Sequence, residues 1–323
     1  MDNPSAQAEG TDTGYLTDLS PRDKPWDVHK HESGQVRNLY QGTLYDAYAG
    51  RICQCSGELS FCWSEHPKTG ERRLKLKTCR FCRVRHCPIC QWRRSLMWVA
   101  RFLKALPSIR DDYPKARWIF ITLTVRNCEL TELKATIGEM NQAWQRLSQR
   151  KQFPLTGFAK ALEITKGKDR TAHPHFHILG MVKPSYFQGK YYLSQDDWQQ
   201  MWREAMRISY DPIIDVQAVK PNPKRLGSGI ESAIAETFKY TTKPGDLFGS
   251  GSEEDKTWLV ELTSQLHKTR AIALGGVLKK YLSESEPEEL LTEEGSDELL
   301  EEATRLCFGW REEVSRYVKT FAD

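Results

Sequence analysis

The chain has 323 residues, of which 39% are hydrophobic, 11% aromatic and 28% charged, with ten tryptophans. This is more than one small core needs and excludes global disorder, so two lobes with appendages are expected. No window nears the roughly 18 consecutive apolar residues of a membrane span, and the first thirty residues lack the layout of a signal peptide; a soluble, cytoplasmic protein without a membrane partner is expected. The net charge of +4 hides two opposed blocks: residues 72–104 carry eleven Lys/Arg and no Asp/Glu, whereas residues 284–302 carry ten Asp/Glu and no Lys/Arg. That asymmetry points to a surface for a polyanion and to a separate acidic segment.

Residues 1–45, rich in Asp, Ser, Gly, Pro and Thr, read as a mostly disordered lead-in. Residues 46–95 hold seven of the nine cysteines and too few aliphatics for a core of their own. A helix is expected over 93–105, then a central strand over 118–125 with Phe120, Thr122 and Thr124 on one face and Ile119, Ile121 and Leu123 on the other. Thr131 caps a helix reaching 149, whose Leu133, Ile137, Met140, Trp144 and Leu147 form one stripe. Segments 158–166 and 176–183 form a hairpin across the polar loop 167–174. Ser194 and Asp197 resemble a capping box for a helix carrying Trp198, Met201, Trp202 and Ala205. A short strand over 213–219 and a helix over 230–243, stopped by Pro244, complete an α+β core over about 112–248. Residues 251–323 are expected to be helical around the acidic block.

Cys79, Cys82, Cys87 and Cys90 form two C-x-x-C pairs within twelve residues, a spacing suited to tetrahedral zinc; a disulfide framework is the alternative for these thiols. Cys53, Cys55 and Cys62, with His66 or His86, offer a second zinc site. Arg80, Arg83, Arg85, Arg93, Arg94 and Arg101 interleave with Trp92 and Trp98, as in a zinc module that meets phosphates and unstacked bases.

His173, His175 and His177 share one face of a strand, because side chains alternate with period two. If the hairpin closes near residues 169–171, Glu163 faces His177, and one carboxylate with His175 and His177 makes a three-ligand divalent site with open positions. In the predicted helix 230–243, Ile230, Ile234 and Phe238 face inward while Glu236, Tyr240 and Lys243 recur at i, i+4, i+7 on the other side. A tyrosine between a carboxylate and a lysine suits a nucleophile, a general base and a phosphate clamp.

The stretch from Cys82 to Cys90, the tract 120–124, the pair His175 and His177, and the segment 236–243 together resemble the rolling-circle plasmid replication initiators of the HUH endonuclease superfamily, in that family's order. The single tyrosine with a glutamate four residues before it is similar to the subgroup in which one tyrosine nicks and the glutamate activates water to end the reaction. The resemblance implies an HUH-type antiparallel sheet flanked by helices in residues 96–250, with a zinc-binding DNA-contact module in 46–95 and a helical region in 251–323. It implies origin nicking by Tyr240 with Mg²⁺ or Mn²⁺ on His175, His177 and Glu163, a 5′-phosphotyrosyl link, and a 3′-OH for a host polymerase working with a host helicase. Double- and single-stranded plasmid origin DNA is the implied partner. A transposase or relaxase of the same superfamily, and a non-catalytic zinc-dependent regulator, are the rival readings. The long segment 1–78 and the acidic C-terminal region depart from the family pattern.

Overall fold

The computed structural model describes residues 14–65, 69–220, 229–239, 242–282, 298–299 and 305–320, the pair 298–299 by its backbone. In chain order they form α1 (Leu16–Leu19), α2 (Lys24–Tyr40), α3 (Asp46–Cys53), β1 (Glu58–Glu65), β2 (Arg72–Cys79), α4 (Pro88–Asp112), β3 (Arg117–Thr124), α5 (Leu133–Ser148), β4 (Leu155–Lys166), β5 (Ala172–Val182), α6 (Gln195–Met206), β6 (Ile214–Ala218), α7 (Ile230–Thr237), α8 (Pro244–Phe248), α9 (Glu253–Gln265), β7 (Ile272–Gly276), β8 (Glu298–Leu299), β9 (Leu306–Arg311) and β10 (Arg316–Thr320). The expected α+β class holds, with two antiparallel sheets flanked by helices. Among the described residues no helix is long and apolar enough to cross a membrane.

One five-stranded sheet has the order β6-β3-β5-β4-β7, every neighbouring pair antiparallel. Period-two alternation gives it two different faces. Ile119, Ile121, Leu123, Leu162, Ile164, Phe176 and Ile178 pack under α5 and α6, whose stripes Leu133, Ile137, Met140, Trp144, Leu147 and Trp198, Met201, Trp202, Ala205 are all buried as expected. On the opposite face Ala159, Leu179 and Met181 meet Trp98 and Phe102 of α4 and Ile230, Ile234 and Phe238 of the α7 region, with Trp98 and Phe238 stacked at 5.5 Å. Burying six or more such side chains contributes about 1.5–3 kcal/mol each. The edge strand β7 closes on β4 through Gly276, at φ 57°, where an added Cβ would lie 2.1 Å from the Thr156 carbonyl oxygen.

The Ser194/Asp197 capping box is formed, whereas Thr131 lies in a 3-10 turn ahead of α5 and gives no side-chain cap. The helix expected over 93–105 runs from Pro88 to Asp112. The helix expected over 230–243 is broken: α7 ends at Thr237, and Lys243 is extended at φ −63°, ψ 140° because Pro244 follows it and starts α8.

Two further expectations are corrected. Within the lead-in, residues 14–45 are not disordered: Trp26, Val36, Leu39 and Tyr40 of α2 are buried, so an amphipathic stripe lies inside a segment whose bulk composition is polar. The C-terminal region is not simply helical, since after α9 it supplies β7 to the sheet built on β3, β4 and β5, and β9 and β10 to the other one. That second sheet has the order β10-β9-β1-β2, with β8 also on β1, so the end of the chain completes the strands of the cysteine-rich segment. Apart from Glu298 and Leu299, residues 284–302 lie outside the described residues, as do His66 and Tyr240.

Candidate functional site

The hairpin β4–β5 carries the first half of the site. Its ladder closes at Lys166 opposite Ala172, and the intervening turn is held by Gly167 N–H to the Thr171 carbonyl and by Asp169 Oδ1 accepting from the Thr171 hydroxyl at 2.5 Å. Arg170 takes the left-handed conformation at φ 65° that this turn needs. The turn is therefore centred one residue earlier than expected. Glu163 lies opposite His175 and Ala161 opposite His177, which corrects the expected pairing of Glu163 with His177. A two-residue slip preserves the face, so the three groups still converge.

Glu163, His175 and His177 bring one ligand atom each within 4.8 Å of one another, all buried. His177 Nε2 lies 2.7 Å and His175 Nε2 3.4 Å from the same Glu163 oxygen, Oε2. The second ring nitrogens are also engaged: His177 Nδ1 is 3.2 Å from the Thr122 hydroxyl, and His175 Nδ1 is 3.2 Å from the His173 carbonyl oxygen. Phe120 stacks on His177 at 5.4 Å. Anchored second nitrogens fix ring orientation and tautomer, as metal-binding histidines require. Burial raises the Glu163 carboxyl, and the His175 and His177 hydrogen bonds with the Lys239 charge outweigh it, holding it well below the usual carboxylate range. Two imidazoles and an ionised carboxylate at this spacing fit a divalent cation. His173 stays outside the trio, half-buried, with Nδ1 lacking a partner among the described residues.

Glu236 is exposed in the last turn of α7 and Lys243 is exposed beyond the break, so these two members of the expected stripe do not share one helix face, and the third, Tyr240, lies outside the described residues. The sequence reading missed Lys239. Its ammonium lies 2.5 Å from Glu236 Oε1 and 3.2 Å from Glu163 Oε2, linking α7 to the trio. Burial lowers this lysine, and the hydrogen bond to Glu236 with the Glu163 charge overcomes that and raises it. A cation falling beside two separate carboxylates depends on where α7 ends, which sequence periodicity did not give.

A second buried group consists of Cys55, Cys82, Cys87 and Cys90. Sulfur separations of 3.7 Å for Cys55 to Cys90, 3.6 Å for Cys82 to Cys90 and 3.7 Å for Cys87 to Cys55 are far too long for disulfides. Four sulfurs each about 2.3 Å from a tetrahedral centre lie about 3.8 Å apart, so the set could hold zinc. The amides of Cys82 and Arg83 donate to Cys55 and Cys90 Sγ, the second made possible by φ 57° at Arg83. Cys55 takes the place expected for Cys79. Cys79 is still in the β2 ladder opposite Leu59, whereas Cys55 sits on the turn after α3 that Lys30 holds through the Cys53 and Cys55 carbonyls. No second cysteine group occurs among the described residues: Cys53 is exposed, and Cys62 lies on β1 near the Lys75 carbonyl. His86 is a structural residue. Burial with the Arg85 and Arg94 charges pulls it down to about 3, and its Nδ1 meets Tyr40 and Thr263 at 3.1 Å each.

Most of the basic residues expected to contact DNA are engaged within the protein. Arg93 is buried between Trp26 and Trp92, and Trp92 is half-buried against Trp26 and His29. Arg85 donates inward to the Leu266 and Thr269 carbonyls, and Arg94 to the Arg83 carbonyl. Arg101 lies over Trp98. Arg80 is exposed and Arg83 half-exposed.

Comparison with known proteins gives one consistent outcome. The sequence profile of the Rep_1 replication protein family matches residues 73–318. The chain is similar to a "Protein rep" of Streptococcus pneumoniae serotype 2, at 31% identity over 92% of both chains. It is also similar to a "Protein rep" of Bacillus amyloliquefaciens, at 37% identity over 85% of both, and to a "Replication protein" of Staphylococcus aureus, at 34% identity over 66% of this chain and 95% of that one. No solved structure matches the chain.

Proposed function

Because the chain belongs to the Rep_1 replication protein family, we propose that this plasmid replication initiator starts rolling-circle replication by nicking one strand of the origin through Tyr240. The observation that supports this most is the buried convergence of Glu163, His175 and His177 on one sheet face. An Mg²⁺ or Mn²⁺ ion held by these three residues would act as a Lewis acid on the scissile phosphate. The Tyr240 hydroxyl is the nucleophile: its oxygen forms the bond to phosphorus, the leaving 3′ oxygen becomes the 3′-OH primer, and the phosphodiester is exchanged for a 5′-phosphotyrosyl ester. Glu236, exposed at the end of α7, accepts a proton from the water that hydrolyses that ester at termination, and the exposed Lys243 clamps phosphate. Cys55, Cys82, Cys87 and Cys90 would hold a zinc ion that stabilises the DNA-contact module, on which Arg80 is exposed. A host polymerase extends the primer while a host helicase unwinds the duplex ahead of it.

The test is a time course on a single-stranded oligonucleotide of the replicon's origin, read on a denaturing gel. The wild type forms a covalent adduct that turns over. Tyr240→Phe and His177→Ala form none, each losing at least about 100-fold in rate, a fall expected when a nucleophile or a ligand is removed. Glu236→Ala nicks and accumulates adduct. Adduct formed by Tyr240→Phe would remove the nucleophile assignment; turnover by Glu236→Ala equal to wild type would remove the termination role.

A further inference from the structure

The Glu163 oxygen that faces both histidines, Oε2, is also the one approached by the Lys239 ammonium at 3.2 Å, and Glu236 Oε1 holds the same ammonium at 2.5 Å. Lys239 is only about one-third exposed, so its charge acts at short range with limited screening. We propose that Lys239 is a built-in cation that competes with the divalent ion for Glu163, with Glu236 as the anchor that keeps it in place. This rests on Glu163, His175 and His177 being the ion's ligands.

An oxygen that coordinates a divalent ion at about 2.0–2.2 Å places that ion within a few ångströms of any ammonium on the same oxygen. The two cations repel, so one weakens the other. Lys239 thus lowers the affinity of the free protein for the ion, and the negative phosphate of an incoming strand restores it. Metal loading and DNA binding become linked, and an ion bound without DNA exchanges readily. Lys239 acts on the reaction through Glu163 and is a positioning residue.

The experiment measures Mn²⁺ binding to the full chain, with its cysteine cluster zinc-loaded, by electron paramagnetic resonance in the absence of DNA. Lys239→Met, which keeps the aliphatic stem, is expected to bind Mn²⁺ on the order of tenfold more tightly than wild type, because a like charge beside the ion has gone. Lys239→Arg keeps the charge and stays within about twofold of wild type. A Lys239→Met affinity equal to or weaker than wild type overturns the competition. His177→Ala is the control for the ligand set: loss of Mn²⁺ there with no change in Lys239→Met removes Lys239 alone, whereas retained Mn²⁺ in His177→Ala removes the metal assignment and the competition with it.

Discussion

Lys160 sits on the helix-covered face of β4, where its ammonium donates to Asn141 Oδ1 at 2.6 Å and lies 3.7 Å from the Phe176 ring centroid. Burial pulls it down to about 7. An unfolded lysine titrates near about 10.4, so between those values the unfolded chain binds more protons and stability rises with pH. Below about pH 7 both states are protonated and the folded state carries the whole cost of a buried ammonium. Lys160→Met is therefore expected to stabilise the protein near pH 7 by about 1–3 kcal/mol, less the lost hydrogen bond and ring contact, and to lose that advantage as pH nears 10. Denaturant melts of both proteins from pH 6 to 10 check it; a gap independent of pH would contradict a depressed lysine. The sequence showed the strand over 158–166 but not the burial of its lysine, which shares a face with Leu162 and Ile164. Its depth depends on Trp144 and Asn141 of α5 folding over it.

At the scale of elements, the two clusters were legible to different degrees for one reason. His175 and His177 lie on one strand whose face is fixed by period two, so their meeting with Glu163 survived a two-residue error in register. The cysteine ligands lie on different elements, and a C-x-x-C pair says nothing about whether its first cysteine has left its strand. Cys79 has not, and Cys55, three residues before β1, completes the set. Cys55→Ser is accordingly expected to lose the bound zinc and to unfold at lower temperature, since a structural zinc supplies about 10 kcal/mol or more in small modules. Cys79→Ser is expected to keep its zinc and melt close to wild type. Elemental analysis of anaerobically purified protein with thermal melts separates the pair; zinc lost from Cys79→Ser and kept in Cys55→Ser would restore the ligand set suggested by spacing. Lys239 was out of reach of sequence reasoning, because its partner Glu163 lies on a distant hairpin and α7 stops before the predicted helix does.

Across the whole molecule, β10 fastens the cysteine module to α2. Tyr317 is fully buried; its hydroxyl donates to the Ser56 carbonyl at 2.6 Å, and its amide donates to Asp27 Oδ1 at 2.9 Å. Tyr317→Ala leaves a cavity beside the turn that carries Cys55 and is expected to cost about 3–5 kcal/mol, as large aromatic truncations do. Oligonucleotide cleavage by the separate β6-β3-β5-β4-β7 sheet should fall less than zinc retention, read by chelator-release kinetics on the same preparation. Equal losses would mean the two sheets fail as one unit.

The pairing of β1 with β9 also dictates an order of events during synthesis. At about 5–20 residues per second, the strand that covers β1 leaves the ribosome on the order of ten seconds or more after β1 itself. Cys55 precedes β1, and Cys82, Cys87, Cys90 and the histidine pair emerge within that interval, while one edge of β1 is an open template for stray pairing. Ion capture by thiols that could hold zinc can therefore precede closure of the sheet around them, and a nascent chain stalled before residue 306 would hold the complete β4–β5 hairpin with Glu163, His175 and His177 beside an unfinished cysteine module.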